Sequence, residues 1–322
     1  MKGKSIICVC ITIIIILCVT GCGKEEKEVS GEKETIENTS SEEVKSEDSS
    51  SEEATSEEAS SEEPMSEDVA DVKLEIGETE QRELWTQTFV YPNNIDDTFV
   101  IDVCLPDNYD ESIAYPVVYL TDCYWRREDY KSMKELYKSG KTKEFILIGI
   151  GYPDDYDFDT IRERDLLREP DKFLNMIING VIPYVENNYN IDANDRTFCG
   201  ASYGGYFMLY SLFQSDGVTK DIFKNYVLAS PTFFERTNGV SLTDYEEKYG
   251  KRTNVLKENV YLTVGGEEEE SYFQVPIRNF LETVQSRGYS GLNLTSKVYE
   301  GKDHYEVWVP SLLDGLKMYL AK

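Results

Sequence analysis

Apolar positions divide this chain into three regimes. The first is an unbroken run, Ile6–Val19, behind Lys2 and Lys4. The second, residues 23–80, holds few apolar residues. The third, residues 81–322, alternates strand-like and helix-like patterns. Thr86–Tyr91 and Thr98–Leu105 read as β-rich runs joined by Pro92–Asp97, a hairpin loop. The runs PVVYLT (Pro116–Thr121) and FILIGIG (Phe145–Gly151) are continuously apolar, as strands buried on both faces of a parallel sheet must be. Phe173, Ile177, Val181 and Tyr184 recur at helical spacing, which predicts a helix over Asp171–Asn187. Further strands are predicted at Arg196–Ala201, Tyr226–Ala229, Val260–Val264 and Leu294–Tyr299. Helices are predicted at Gly204–Phe213, at Phe273–Arg287 before Gly288, and at Tyr305–Leu320. An antiparallel opening followed by strand–helix repeats predicts an α/β fold: a mostly parallel central sheet with helices on both faces. In such sheets, ligands bind outside the carboxyl ends of the strands.

The other two regimes are segments with their own roles. Residues 1–22 have a basic start, a short apolar stretch and Val19-Thr20-Gly21 before Cys22, the pattern of a secretory signal. Its ending resembles a bacterial lipobox, so Cys22 is the expected lipidated first residue of the mature chain. The apolar run is shorter than the roughly 20 residues of a spanning helix. The expected location is the cell membrane, lipid-anchored on its extracytoplasmic face. Residues 23–80 repeat a Ser-Glu-Glu unit and read as a disordered acidic linker, because they cannot bury enough surface to offset ordering entropy. With 33 Lys plus Arg against 61 Asp plus Glu, the net charge is −28. A field of that sign repels phosphate backbones, so nucleic acid is not an expected partner.

Candidate chemistry concentrates at three predicted strand ends. Gly200-Ala201-Ser202-Tyr203-Gly204 fits G-x-S-x-G between a strand and a helix, where a sharp turn presents the serine hydroxyl to the cleft. The motif alone is weak; its context strengthens it. A serine needs a base, and the chain has 1 His, His304, in the loop after Leu294–Tyr299. The acid that orients it belongs between them in chain order. Glu267, Glu268, Glu269 and Glu270 follow strand Val260–Val264, and Glu268 is the first choice, with Glu267 and Glu269 left open. Oxyanion donors are expected from the backbone N–H of Tyr203 and that of Cys123, after strand Pro116–Thr121.

Set in order, YPVVYLTDCYW, FILIGIGYP, RERDLL, VIPYVENNYNIDANDRTFCGASYGG, LASPTFF, YLTVGG and YEGKDHYEVW resemble the esterase D/enterochelin-esterase-like family of α/β-hydrolases. The resemblance runs from about Leu84 to the C-terminus. It implies an α/β-hydrolase sheet, Ser202 as nucleophile and His304 as base, acting on siderophore lactones, feruloyl or acetyl esters, or thioesters. Arg162 and Asp165 match a family Arg/Asp pair near the cleft, read as a structural ion pair with substrate positioning as the alternative, and Arg162 and Trp125 are the candidate substrate contacts. Cys123 replaces a frequent Gly after Asp122, and Ala201 a frequent His before the nucleophile.

Two other features are set aside. Asp155–Asp159 opens like a calcium loop, but Thr160 stands at the position that needs Gly and Leu166 at the one that needs Glu. Cys104, Cys123 and Cys199 suit buried free thiols. The expectation is therefore a monomeric serine carboxylesterase with no cofactor and no metal, acting on a small-molecule ester. The alternatives are an inactive binding lipoprotein on the same fold, or an acyltransferase.

Overall fold

The computed structural model describes residues 71–154 and 156–322. The signal, Cys22, most of the acidic linker and Asp155 of the calcium-like stretch lie outside the described residues.

The runs Tyr115–Leu120 (β4) and Ile146–Gly151 (β5) are buried at every position and pair in parallel near the middle of a nine-stranded sheet. Before them come β1 (Leu74–Gln81), β2 (Thr86–Pro92) and β3 (Phe99–Cys104), and after them β6 (Ile191–Ala201), β7 (Asn225–Ala229), β8 (Asn259–Gly265) and β9 (Asn293–Tyr299). The spatial order is β1-β2-β3-β5-β4-β6-β7-β8-β9. Strands β1, β2, β3 and β5 pair antiparallel, and all other neighbours are parallel. The fold class is the α/β sheet the sequence predicts.

Side chains of the central strands alternate between two cores, as period-two geometry requires. Val117, Tyr119, Ile146, Ile148, Phe198, Tyr226 and Leu228 face one; Val118, Leu120, Leu147, Cys199, Val227 and Ala229 face the other. Each fully buried Val, Leu or Ile is worth about 1.5–3 kcal/mol over exposure. The helices are α1 (Cys123–Arg126), α2 (Tyr130–Lys138), α3 (Phe158–Glu163), α4 (Pro170–Met176), α5 (Ile182–Asn188), α6 (Tyr203–Leu212), α7 (Leu242–Arg252), α8 (Val275–Arg287) and α9 (Trp308–Tyr319). Met133 and Leu136 of α2 and Leu312 and Leu316 of α9 fill the second core. Phe173, Phe207, Leu242 and Phe280, from α4, α6, α7 and α8, fill the first.

Helices α1, α2 and α3 lie in stretches for which the sequence analysis predicts no element, and three further departures have readable causes. Strand β1 lies inside the stretch that composition assigns to the linker, so the sheet starts before residue 81. It is an edge strand with only Leu74, Gly77 and Glu80 half-buried and the rest exposed, and its Glu residues blunt the free edge. The helix expected over Asp171–Asn187 runs from Pro170 to Asn188 but widens into a π turn at Ile177–Val181. That turn accommodates Pro183, which has no N–H and crowds the carbonyl four residues back. Helix α7 was not expected, because charges dominate its sequence. A capping box starts it: Ser241 Oγ accepts from Asp244 N, and the Asp244 carboxylate accepts from Ser241 N at 2.8 Å.

The order β5-β4-β6 contains the switch point. The chain leaves β4 in one direction and β6 in the other, so the loops after these adjacent strands diverge and leave a crevice. Thr121 N to Cys199 O, 3.2 Å, ties the two strand ends together beneath it. Gly200 makes the turn after β6 possible. A Cβ there would meet the Gly204 carbonyl oxygen at 2.5 Å, and neither backbone can yield. We expect Gly200→Ala to destabilise the protein by about 1–3 kcal/mol or prevent folding, read from urea unfolding. Wild-type stability would mean that β6 and α6 can separate without cost.

Candidate active site

Ser202 lies between β6 and α6 with φ 57° and ψ −116°, a left-handed conformation that a non-glycine residue adopts only under constraint. Its N–H donates to Ala229 O of β7 at 2.9 Å, and its carbonyl accepts the first α6 bond, from Tyr206 N at 2.9 Å. These bonds hold the bend on both sides, leaving the side chain at the carboxyl end of the sheet. Ser202 Oγ lies 3.4 Å from Thr232 Oγ1.

His304 and Glu268 meet across the ends of β8 and β9. Glu268 is 5% exposed. Its Oε2 is 2.8 Å from His304 Nδ1. Its Oε1 accepts from Gly265 N at 2.7 Å and from Ser230 Oγ. A carboxylate bonded on both oxygens cannot rotate. It fixes the proton of the neutral imidazole on Nδ1 and leaves the Nε2 lone pair free. Gln274 Nε2 holds the Glu268 carbonyl at 2.7 Å, and Glu267 N donates to Lys302 O at 3.0 Å, joining the acid loop to the histidine loop. Gly265 is needed there, since a Cβ would stand 2.3 Å from Lys302 O. Phe273 lies against the imidazole, centroids 4.4 Å apart. Of the four consecutive glutamates, Glu267, Glu269 and Glu270 are exposed, and only Glu268 turns inward.

The serine and the Glu268–His304 pair are linked through the loop after β7. Thr232 contacts Ser202, and Ser230, two residues earlier, contacts Glu268. Among the described hydrogen bonds none joins Ser202 Oγ to the imidazole; the hydroxyl is turned toward Thr232. Ser230 and Thr232 were missed as site residues from sequence, although the LASPTFF segment flagged their loop.

In the loop after β4, Asp122 is also left-handed at φ 60°, ψ 37°. Cys123 follows as the first residue of α1, so its N–H has no partner four residues back in the helix. The Cys123 thiol is fully buried, and burial pushes it well above its usual range, so it is no nucleophile. Arg162 pairs with Asp122, not with Asp165: Nε to Oδ1 is 2.7 Å and Nη2 to Oδ2 is 3.0 Å. Asp165 instead binds Arg164 and accepts from Tyr152 OH. The reason is topological: Arg162 lies on α3 facing the β4 end, whereas Asp165 is one turn on and buried in the first core. Trp125 is 43% exposed and its ring lies 5.1 Å from the Arg162 guanidinium carbon. Tyr206 and Trp308 are buried in the core, whereas Tyr124 and Phe234 are exposed. A recess of about 270 Å³ near Ser215, Tyr249 and Glu258 lies at the opposite, amino-terminal strand ends. Among the described residues no group of three or more His, Cys, Asp or Glu side chains is placed to hold a metal ion. Cys104, Cys123 and Cys199 are free and buried.

The sequence profile described as "Putative esterase" matches residues 93–319, more than half of the chain. The chain belongs to this esterase family. It is 25% identical over 241 residues to the ferri-bacillibactin esterase BesA of Bacillus subtilis (strain 168), covering 65% of this chain and 80% of that protein. The crystal structure of the BES protein from Bacillus cereus superposes with TM-score 0.64 at 23% identity, over 76% of this chain and 98% of that one. The siderophore hydrolase EstB from Aspergillus nidulans gives TM-score 0.61 at 18% identity, over 76% and 98%. The architecture is the α/β-hydrolase fold, and the esterase is a hydrolase acting on ester bonds.

With one histidine in the chain, its environment can be read directly. In the neutral state we expect a single downfield imidazole proton on Nδ1, bonded to Glu268, which Glu268→Ala removes. A neutral tautomer protonated on Nε2 would contradict the geometry.

Proposed function

We propose that this esterase is a lipid-anchored, extracytoplasmic serine carboxylesterase that hydrolyses a siderophore-type ester through Ser202, His304 and Glu268. The observation that carries the reading is the Glu268–His304 bond, 2.8 Å, whose acid is joined through the loop after β7 to a strained serine at the carboxyl end of the same sheet. Rotation of the Ser202 side chain away from Thr232 turns Oγ into the cleft. His304 Nε2 takes the hydroxyl proton as Oγ attacks the ester carbonyl, and Glu268 stabilises the imidazolium that forms. The backbone N–H groups of Cys123 and Tyr203 hold the developing oxyanion. Collapse expels the alcohol with the proton from His304. Water, losing a proton to the same nitrogen, then attacks the acyl-enzyme, and as the acid leaves, His304 returns that proton to Ser202 Oγ. Unaligned serine–imidazole contacts are common in unliganded hydrolases and tighten when substrate binds.

The substrate class is supported by the relatives named as ferri-bacillibactin esterase and siderophore hydrolase. The location is supported by the Lys2/Lys4 start, the apolar run and Cys22. A small ester reaching an anchored outer enzyme needs no import before cleavage.

A fluorophosphonate should label Ser202 alone, and Ser202→Ala should lower kcat on p-nitrophenyl butyrate by more than about 10⁴-fold. A label elsewhere, or a folded but inert wild type, would overturn the mechanism. In a panel of trilactone, feruloyl and acetyl-sugar esters, the trilactone should have the highest kcat/KM. Cys22→Ala should leave the precursor uncut or release it from the membrane; unchanged mass and retention would refute the lipid anchor.

A further inference from the structure

Three non-glycine residues of the site have positive φ, Asp122 (60°), Ser202 (57°) and Ser230 (46°), and the first two directly precede the proposed oxyanion donors Cys123 and Tyr203. Asp122 and Ser202 follow β4 and β6, whose ends are tied by Thr121 N to Cys199 O at 3.2 Å; beyond that bond the two loops diverge, and a further link is needed to set the Cys123 and Tyr203 N–H groups against each other. One side chain touches both. The Arg162 guanidinium, on α3, forks onto the Asp122 carboxylate through Nε (2.7 Å) and Nη2 (3.0 Å). The same Nη2 donates to Ala201 O, immediately before Ser202, at 3.2 Å. Its carbon lies 5.1 Å from the Trp125 ring and 4.9 Å from the Tyr203 ring. The Asp122 side thus contributes a carboxylate and the Trp125 ring, and the Ser202 side the Ala201 carbonyl and the Tyr203 ring, to the same planar group.

The far side of α1 is anchored independently. Arg127 Nε and Tyr130 OH both donate to buried Asp102, at 2.7 Å and 3.1 Å, and Arg127 also pairs with Asp154 at 2.7 Å. The Asp122 end is left as the part whose position relative to Ser202 Arg162 determines. The side chains of Arg162 and Asp122 are 11% and 3% exposed, and the carboxylate neutralises the guanidinium. An arginine so engaged is poorly placed to bind a substrate anion, the role its place near the cleft suggests. A lysine carries the charge but lacks the planar fork.

We propose that Arg162 is a positioning residue that sets the oxyanion hole, locking the Cys123 and Tyr203 N–H groups at one separation by bridging Asp122 and Ala201. The inference rests on Ser202 being the nucleophile, as proposed above. Because the hole acts on the transition state rather than on the bound ester, its disturbance lowers kcat and leaves KM nearly unchanged.

The test uses the full chain with p-nitrophenyl butyrate and a trifluoromethyl ketone. The ketone adds Ser202 Oγ at its carbonyl carbon, passes the serine proton to His304, and places its oxyanion in the hole. Arg162→Lys, Arg162→Met and Asp122→Asn should each lower kcat by about 10²-fold with KM changed less than about twofold. Affinity for the trifluoromethyl ketone should fall by the same factor as kcat/KM, while affinity for the matching methyl ketone stays constant. Arg162→Met combined with Asp122→Asn should be no worse than either alone, since both remove one linkage. If Arg162→Met does not fold, Arg162→Lys and Asp122→Asn decide the matter. Folded variants with wild-type kcat and ketone affinity overturn the clamp, as does a raised KM at constant kcat. Ser202→Ala is measured in parallel: if it keeps full activity, the nucleophile assignment falls; if it is inactive while the Arg162 variants are not, only the clamp falls.

Discussion

The bend at Ser202 is the constraint on which the rest of the site depends. A left-handed serine is unfavourable by about 1–3 kcal/mol, and it persists only where its surroundings over-determine it. Here they do. Gly200 lets α6 fold back onto β6, Ala229 O takes the Ser202 N–H, and Tyr206 closes the first helical turn on the Ser202 carbonyl. The helix that follows is buried from Gly204 to Leu212, so it cannot swing to relieve the turn. The bend is therefore supported by the core of the whole domain rather than by its own loop.

The histidine side is built on a different logic, satisfaction rather than strain. A carboxylate as buried as Glu268 is costly unless its oxygens are bonded. Gly265, Ser230 and His304 supply those bonds. The three come from β8, the loop after β7 and the loop after β9, so the acid also staples three strand ends. Ser230 and Thr232 then connect this half of the site to the serine half. The site is thus assembled across β4, β6, β7, β8 and β9, with each strand end held by at least one bond to another.

Much of this was legible in the sequence where one local rule dominated. Continuous apolar runs identified β4 and β5, because a strand covered on both faces has no polar side to show. G-x-S-x-G identified the elbow, because close backbone approach leaves little choice of residue. Strand β1 was not legible, since an exposed edge strand shows no apolar period. Helix α7 was hidden by its charges, though its Ser241–Asp244 cap was a readable signal. The partner of Arg162 was misjudged, because a family pattern records which residues recur, not which of two nearby carboxylates a helix brings within reach.

The sequence by itself determined the alternation of elements, the candidate nucleophile and the single imidazole proposed as its base. Those follow from short-range chemistry: side-chain periodicity, backbone freedom at glycine and the scarcity of imidazole. Only the tertiary structure brought Glu268, the sequence's first choice, against His304 and left its neighbours exposed, turned the Ser202 hydroxyl toward Thr232 and joined Arg162 to Asp122. Each of those is a contact between strands distant in the chain, and strand order and register, which no local pattern encodes, decide which side chains meet.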